Sequence, residues 1–110
     1  MARRKTDLLQ GTLDMLVLKA LDGEDRHGYS VARVIEQTTG DVLSVDEGSL
    51  YPALHRMERK GWIKSSWGLS ENNRRAKFYR LTARGRKQLS VEAEEWARYS
   101  RAVAQMLQSP

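Results

Sequence analysis

The chain has no cysteine in 110 residues, which excludes disulfides and thiolate zinc sites and suits a reducing compartment such as the cytoplasm. Histidine is nearly as scarce, with two copies. His55 shares a helical face with Glu58, but two ligands do not hold a metal ion. His27, ahead of Gly28 and Tyr29, reads as a structural turn residue. No metal and no cofactor are expected. Long apolar runs are also missing: the first apolar segment is broken by Thr12, Asp14 and Lys19, which fits neither a signal peptide nor a membrane span. There is no glycine-rich phosphate loop, no Ser/His/Asp set and no nucleophile elbow, so no residues support an enzyme. Glu92, Glu94 and Glu95 read as a solvated helix face. Without a repeat, linker or low-complexity tract, the chain reads as one folded unit.

What is present is positive charge. The net charge is +5 on a chain that is 40% hydrophobic and 30% charged, with a pI near 9.8. That balance describes a globular protein and favours polyanionic partners, because lysine and arginine displace counterions from phosphates.

Periodicity supplies the elements. Leu9, Leu13, Leu16 and Ala20 recur at helical steps over residues 8–21, and Leu8, Met15 and Leu18 lie off that stripe, so this helix is to be covered on more than one side. Val31, Val34 and Ile35 mark a second helix over 29–38. A third helix, from about Glu47 to Lys60, turns Leu50, Ala53, Leu54 and Met57 inward. Its start is open: Asp46 can cap it, but Pro52 then deletes an internal hydrogen bond, whereas Ser49 as cap leaves Pro52 in the tolerant first turn and is the favoured start. Gly61 fits a left-handed stop. Residues 62–67 and 77–81 read as strands joined through an Asn72-Asn73 turn. Thr82 then caps a helix running to about Gln108, with a near-heptad seam of Leu89, Ala93, Trp96, Ser100, Val103 and Leu107. The fold class is mainly α with a small antiparallel hairpin: a winged helix-turn-helix over 1–81 and a long C-terminal dimerisation helix over 82–110.

The third helix offers Ser49, Tyr51, Pro52, His55, Arg56 and Arg59 on its polar side, groups that can meet phosphates and base edges. Alone, this face fits a reading helix and an ordinary solvated surface equally well. The hairpin decides between them. Arg74, Arg75 and Lys77 cluster on it, Arg84, Arg86 and Lys87 follow, and no acid interrupts residues 72–88. Such a stretch favours phosphate contact over a solubilising surface, on which signs usually alternate. Arg80, on a strand, either joins that cluster or pairs within the fold. Lys5, with Arg3 and Arg4, forms either an arm on phosphate or a solvated tail. The last helix either pairs with a second copy or folds back on its own domain; Trp96 and Tyr99 weigh toward an interface. A winged-helix module that binds protein rather than DNA is the competing reading, and it has no need of a basic wing.

At this point the residues resemble a known family. Gln10 to Leu16, His27-Gly28-Tyr29, Gly48 to Glu58, Gly61-Trp62-Ile63, Trp67, Asn73 to Thr82 and Gly85 are similar, in that order, to the PadR family of bacterial transcriptional regulators, and most to its short, acidobacterial-type lineage. The resemblance implies a homodimer that represses transcription from palindromic double-stranded DNA, often released by a small aromatic or amphiphilic effector, with no membrane partner. It carries DNA contact to Ser49, Tyr51, Pro52, His55, Arg74, Arg75 and Lys77. It also implies an aromatic near the dimer axis, Trp96, facing Met15. Leu8, Met15, Ala93, Trp96, Tyr99 and Val103 are the residues expected at the dimer and ligand pocket.

Overall fold

The order of elements is β1 (Thr6–Asp7), α1 (Gln10–Ala20), β2 (Arg26–His27), α2 (Gly28–Thr38), β3 (Leu43–Ser44), α3 (Glu47–Arg59), β4 (Ile63–Leu69), β5 (Arg75–Leu81) and α4 (Ala83–Gln108). This computed structural model describes residues 6–7 and 10–110; Lys5, Leu8, Leu9, Arg3 and Arg4 lie outside the described residues.

α1 is covered on more than one side, as expected, with Leu18 the off-stripe residue that is fully buried and Met15 half-buried. α1 packs against α2, α3 and α4, and Leu13, Val17, Leu18 and Leu21 are buried. Val31 and Ile35 from α2, Leu50, Leu54 and Met57 from α3, and Ile63, Tyr79 and Leu81 from the sheet close one continuous core.

β4 and β5 pair antiparallel from Ile63 opposite Leu81 to Leu69 opposite Arg75. Both strands run two residues further toward the tip than the alternation predicts, β4 starting one residue later than expected, and Asn73 takes the left-handed conformation (φ 60°) that its turn requires. β2, too short to show a period, adds a third strand on the other edge of β5. His27 ends that strand and caps α2, its Nδ1 accepting from the Ser30 amide at 3.2 Å.

The start of α3 differs from the favoured reading. Asp46, not Ser49, is the cap, and Pro52 lies inside the helix. The Asp46 carboxylate accepts from the Ser49 amide (3.0 Å) and the Ser49 hydroxyl (3.1 Å), and the Asp46 carbonyl accepts from the Leu50 amide at 3.0 Å. The hydrogen bond that Pro52 deletes would have gone to the carbonyl of Gly48, an exposed residue in the first turn, where an unpaired group costs little. At the other end Gly61 (φ 78°) stops the helix, with the Trp62 amide donating to the Met57 carbonyl at 3.0 Å.

Thr82 caps α4 and also reaches back, its hydroxyl lying 2.7 Å from the Gly61 carbonyl and 3.0 Å from the Gly85 amide. The first turns of α4 are therefore built into the winged-helix core, on the far side of the boundary that the sequence suggests near residue 82.

Candidate nucleic-acid interface

On α3 the side opposite the core presents Ser49, Tyr51, Pro52 and His55, all exposed. Local packing fixes this face. The Tyr51 ring lies on the backbone at the start of α2, so close that a Cβ on Gly28 would come within 2.9 Å of its Cε1. Glycine at that position is what leaves room for the Tyr51 ring in this place. Ser49 is held by its bond to Asp46.

Arg56 does not belong to this face. Its guanidinium turns toward α1 and meets the buried carboxylate of Asp14 at 2.6 Å, with its Nε enclosed and unpartnered among the described residues. The helical period puts Arg56 on the margin of the polar face, and a buried acid across the groove draws it in. The pair ties α3 to α1 inside the fold.

The register of the hairpin sorts its cations. Residues 63, 65, 67 and 69 of β4 and 75, 77, 79 and 81 of β5 share one face. Near the base this face is core, with Ile63, Tyr79 and Leu81 buried. Toward the tip it carries Lys77, Arg75, Trp67 and Leu69. The Arg75 guanidinium stacks 4.8 Å from the Trp67 ring centre, and Trp67 is 61% exposed. Arg74 is exposed in the turn. Arg80 lies on the opposite face and pairs with Asp25 at 3.2 Å, the internal alternative open to it.

Lys77 is not free. Its ammonium lies 3.6 Å from Glu58 on α3, whose other oxygen accepts from the Ser65 hydroxyl at 2.5 Å. Glu58 thus ties the exposed helix to both wing strands. Burial, with Glu58 and then Tyr51 adding to it, pushes the neighbouring Tyr79 phenol above its ordinary value of 10.0. Sequence reasoning considered Glu58 as a metal ligand and never as a brace, because its partners become visible only when the hairpin register is known. The stacking of Trp67 with Arg75 is hidden from the sequence for the same reason, since the two are eight positions apart.

The residues expected at a dimer or ligand pocket separate. Met15, Trp96 and Tyr99 line an open groove of about 360 Å³ between α1 and α4, together with Glu92 and Glu95. The Trp96 and Tyr99 rings stand 6.0 Å apart. Ala93 and Val103 lie on the exposed seam of α4 outside the groove lining, and Leu8 is outside the described residues. No helix among the described residues is long and apolar enough to cross a membrane.

Residues 17–91 match the model of the PadR-like family of transcriptional regulators. A protein X of Lysinibacillus sphaericus is 31% identical over 93 residues, covering 84% of this chain and 85% of its own length. A transcriptional regulator of Clostridium thermocellum superposes with a TM-score of 0.81 at 30% identity, over 90% of this chain and 96% of that one. A PadR-like transcriptional regulator of Bacillus cereus does so with a TM-score of 0.79 at 28% identity, over 93% and 97%.

Proposed function

The chain belongs to the PadR-like family of transcriptional regulators, not enzymes, and from that premise we propose that it is a cytoplasmic homodimeric repressor acting on a pseudo-palindromic operator. One observation carries this reading. The exposed face of α3 (Ser49, Tyr51, Pro52, His55) stands beside a wing whose tip holds Arg74 and Arg75 outside any ion pair among the described residues. In this reading Tyr51 and His55 meet base edges, Ser49 and Pro52 fit the groove wall, and Arg74 and Arg75 meet phosphate or the minor groove. Lys77, shared with Glu58, is a secondary contact, and Lys5 is a backbone contact from the N-terminal arm.

A two-fold pair of such units would address half-sites about 34 Å apart, one turn of DNA. The seam of α4 supplies the pairing surface. The groove beside Trp96 is proposed to hold a small planar or amphiphilic effector that changes the spacing of the two reading helices.

The test is binding to the DNA upstream of its own gene, measured by fluorescence anisotropy across a salt series. Arg75→Ala is expected to weaken binding to every sequence and to lower the slope of log K against log salt by about 0.9. His55→Ala is expected to leave that slope in place and to cost roughly 1–3 kcal/mol of discrimination at one base pair. If both variants bind like the wild type, the assigned face is wrong.

A further inference from the structure

We infer that a basic cleft between the end of α3 and the start of α4 is a second phosphate site, gripping the DNA backbone that borders the major groove away from the wing tip. The inference rests on the DNA-binding reading above and extends it to residues outside the helix face and the wing. The cleft has a volume of about 500 Å³ and is lined by Arg59, Lys60, Arg84 and Lys87 around Trp62. No acid lines it, and none of the four cations forms an ion pair among the described residues.

Three features separate this cluster from an ordinary solvated surface. The first is placement without neutralisation. The Arg84 guanidinium donates to the Lys60 carbonyl at 3.3 Å, and the Lys60 ammonium sits 4.6 Å from the centre of the Trp62 ring. Both cations are positioned by groups that leave their charge unspent, as a preorganised anion site requires. The second is sign. The first turn of α4 holds no acid, and Arg84, Arg86 and Lys87 crowd the positive end of the helix, where stability alone favours carboxylates.

The third is position. Arg59 follows His55 by one helical turn, so the exposed face of α3 runs directly into the cleft. The cleft lies beside the base of the hairpin, where Ile63 pairs with Leu81, and the tip pair is Leu69 with Arg75. Six residue steps of strand separate base from tip, about 20 Å. A major groove is about 12 Å wide between its bordering backbones. The wing tip and the cleft are therefore far enough apart for each to reach one of the two backbones that border a single groove. Continuity with the reading face is what favours DNA phosphate over a free small anion.

The test uses Arg59→Gln with Lys87→Gln, two exposed side chains with no hydrogen bond or ion pair among the described residues, and thermal melting verifies that the fold is kept. DNA recovered by selection from a random pool is titrated between 50 and 200 mM salt. The double variant is expected to lower the slope of log K against log salt by about 1.8, two phosphates' worth, and to leave the ranking of DNA sequences unchanged. An unchanged slope, in a series where Arg75→Ala does lower it, overturns the inference and spares the DNA-binding reading. So does inorganic phosphate that perturbs amide resonances around the cleft while the slope stays put, since that marks a small-anion site. A wild-type chain that binds no DNA removes the reading and the inference together.

Discussion

The two ends of α4 continue one apolar period and yet live in different surroundings. From Thr82 to Leu89 the helix is part of the core: Gly85 is buried against the Trp62 carbonyl, and Leu89 packs on the hydrophobic cluster. From Trp96 onward the same seam is bare, with Trp96 47%, Val103 40% and Leu107 79% exposed. Hydrophobicity does not distinguish the halves, since the bare end is the richer in large apolar side chains. The difference lies in the close-approach chemistry of the first turns: a threonine that joins the helix start to the end of α3, and a glycine that admits a neighbouring backbone. Beyond Trp96 there is no such device. The first half is an anchor, and the second is an arm whose seam beyond Trp96 is left largely exposed by the described residues.

The largest effect expected from this contrast is at Gly85. A Cβ there would run into the Trp62 carbonyl oxygen and come within 2.8 Å of Leu81 Cδ1. The obstacle is mostly backbone, so relief requires moving α4 off the sheet. Gly85→Ala should cost about 3 kcal/mol, the upper end for overpacking, read as a lower denaturant midpoint that does not depend on protein concentration. A smaller loss is expected at Thr82. Thr82→Ala removes the cap on Gly85 and the tie to Gly61 (2.7 Å), and about 1–2 kcal/mol should follow. If either substitution were silent, the first turns would not be an anchor.

This contrast was not legible in the sequence, where Leu89, Ala93, Trp96, Ser100, Val103 and Leu107 form one near-heptad series. Periodicity reports which side of a helix is apolar and says nothing about what covers it. The same limit explains Arg56. The spacing sets it at the edge of the polar face, and only the folded chain brings Asp14, 42 residues away, within reach. The elements themselves were readable wherever the signal was local. Gly61 and Asn73 marked backbone reversals, Thr82 marked a helix start, and alternation marked both wing strands. Asp46 and Ser49 were both visible as caps, and the choice between them turned on the cost of Pro52, which is low because Gly48 faces solvent. β2 carries two residues and no pattern, and its pairing with β5 is a tertiary fact.

The smallest effect on the protomer, and the sharpest test of the contrast, is expected at Val103. It lies on the exposed seam one heptad beyond Trp96, outside the buried core cluster among the described residues. In an isolated protomer Val103→Glu should change unfolding by less than about 0.5 kcal/mol, as an exposed substitution does. In a two-fold pair it places a carboxylate on each side of an apolar contact, close to its own copy. The wild type should then scatter light as twice the 12.6 kDa of the chain and melt at a temperature that rises with concentration, because association stabilises by mass action. The variant should scatter as one chain and melt at a concentration-independent temperature, with Gly85→Ala still lowering it. The opposite pattern would be a wild type already at single-chain mass, with Val103→Glu as damaging as a core change. The arm would then fold back on its own domain, and the two ends of α4 would not differ in kind.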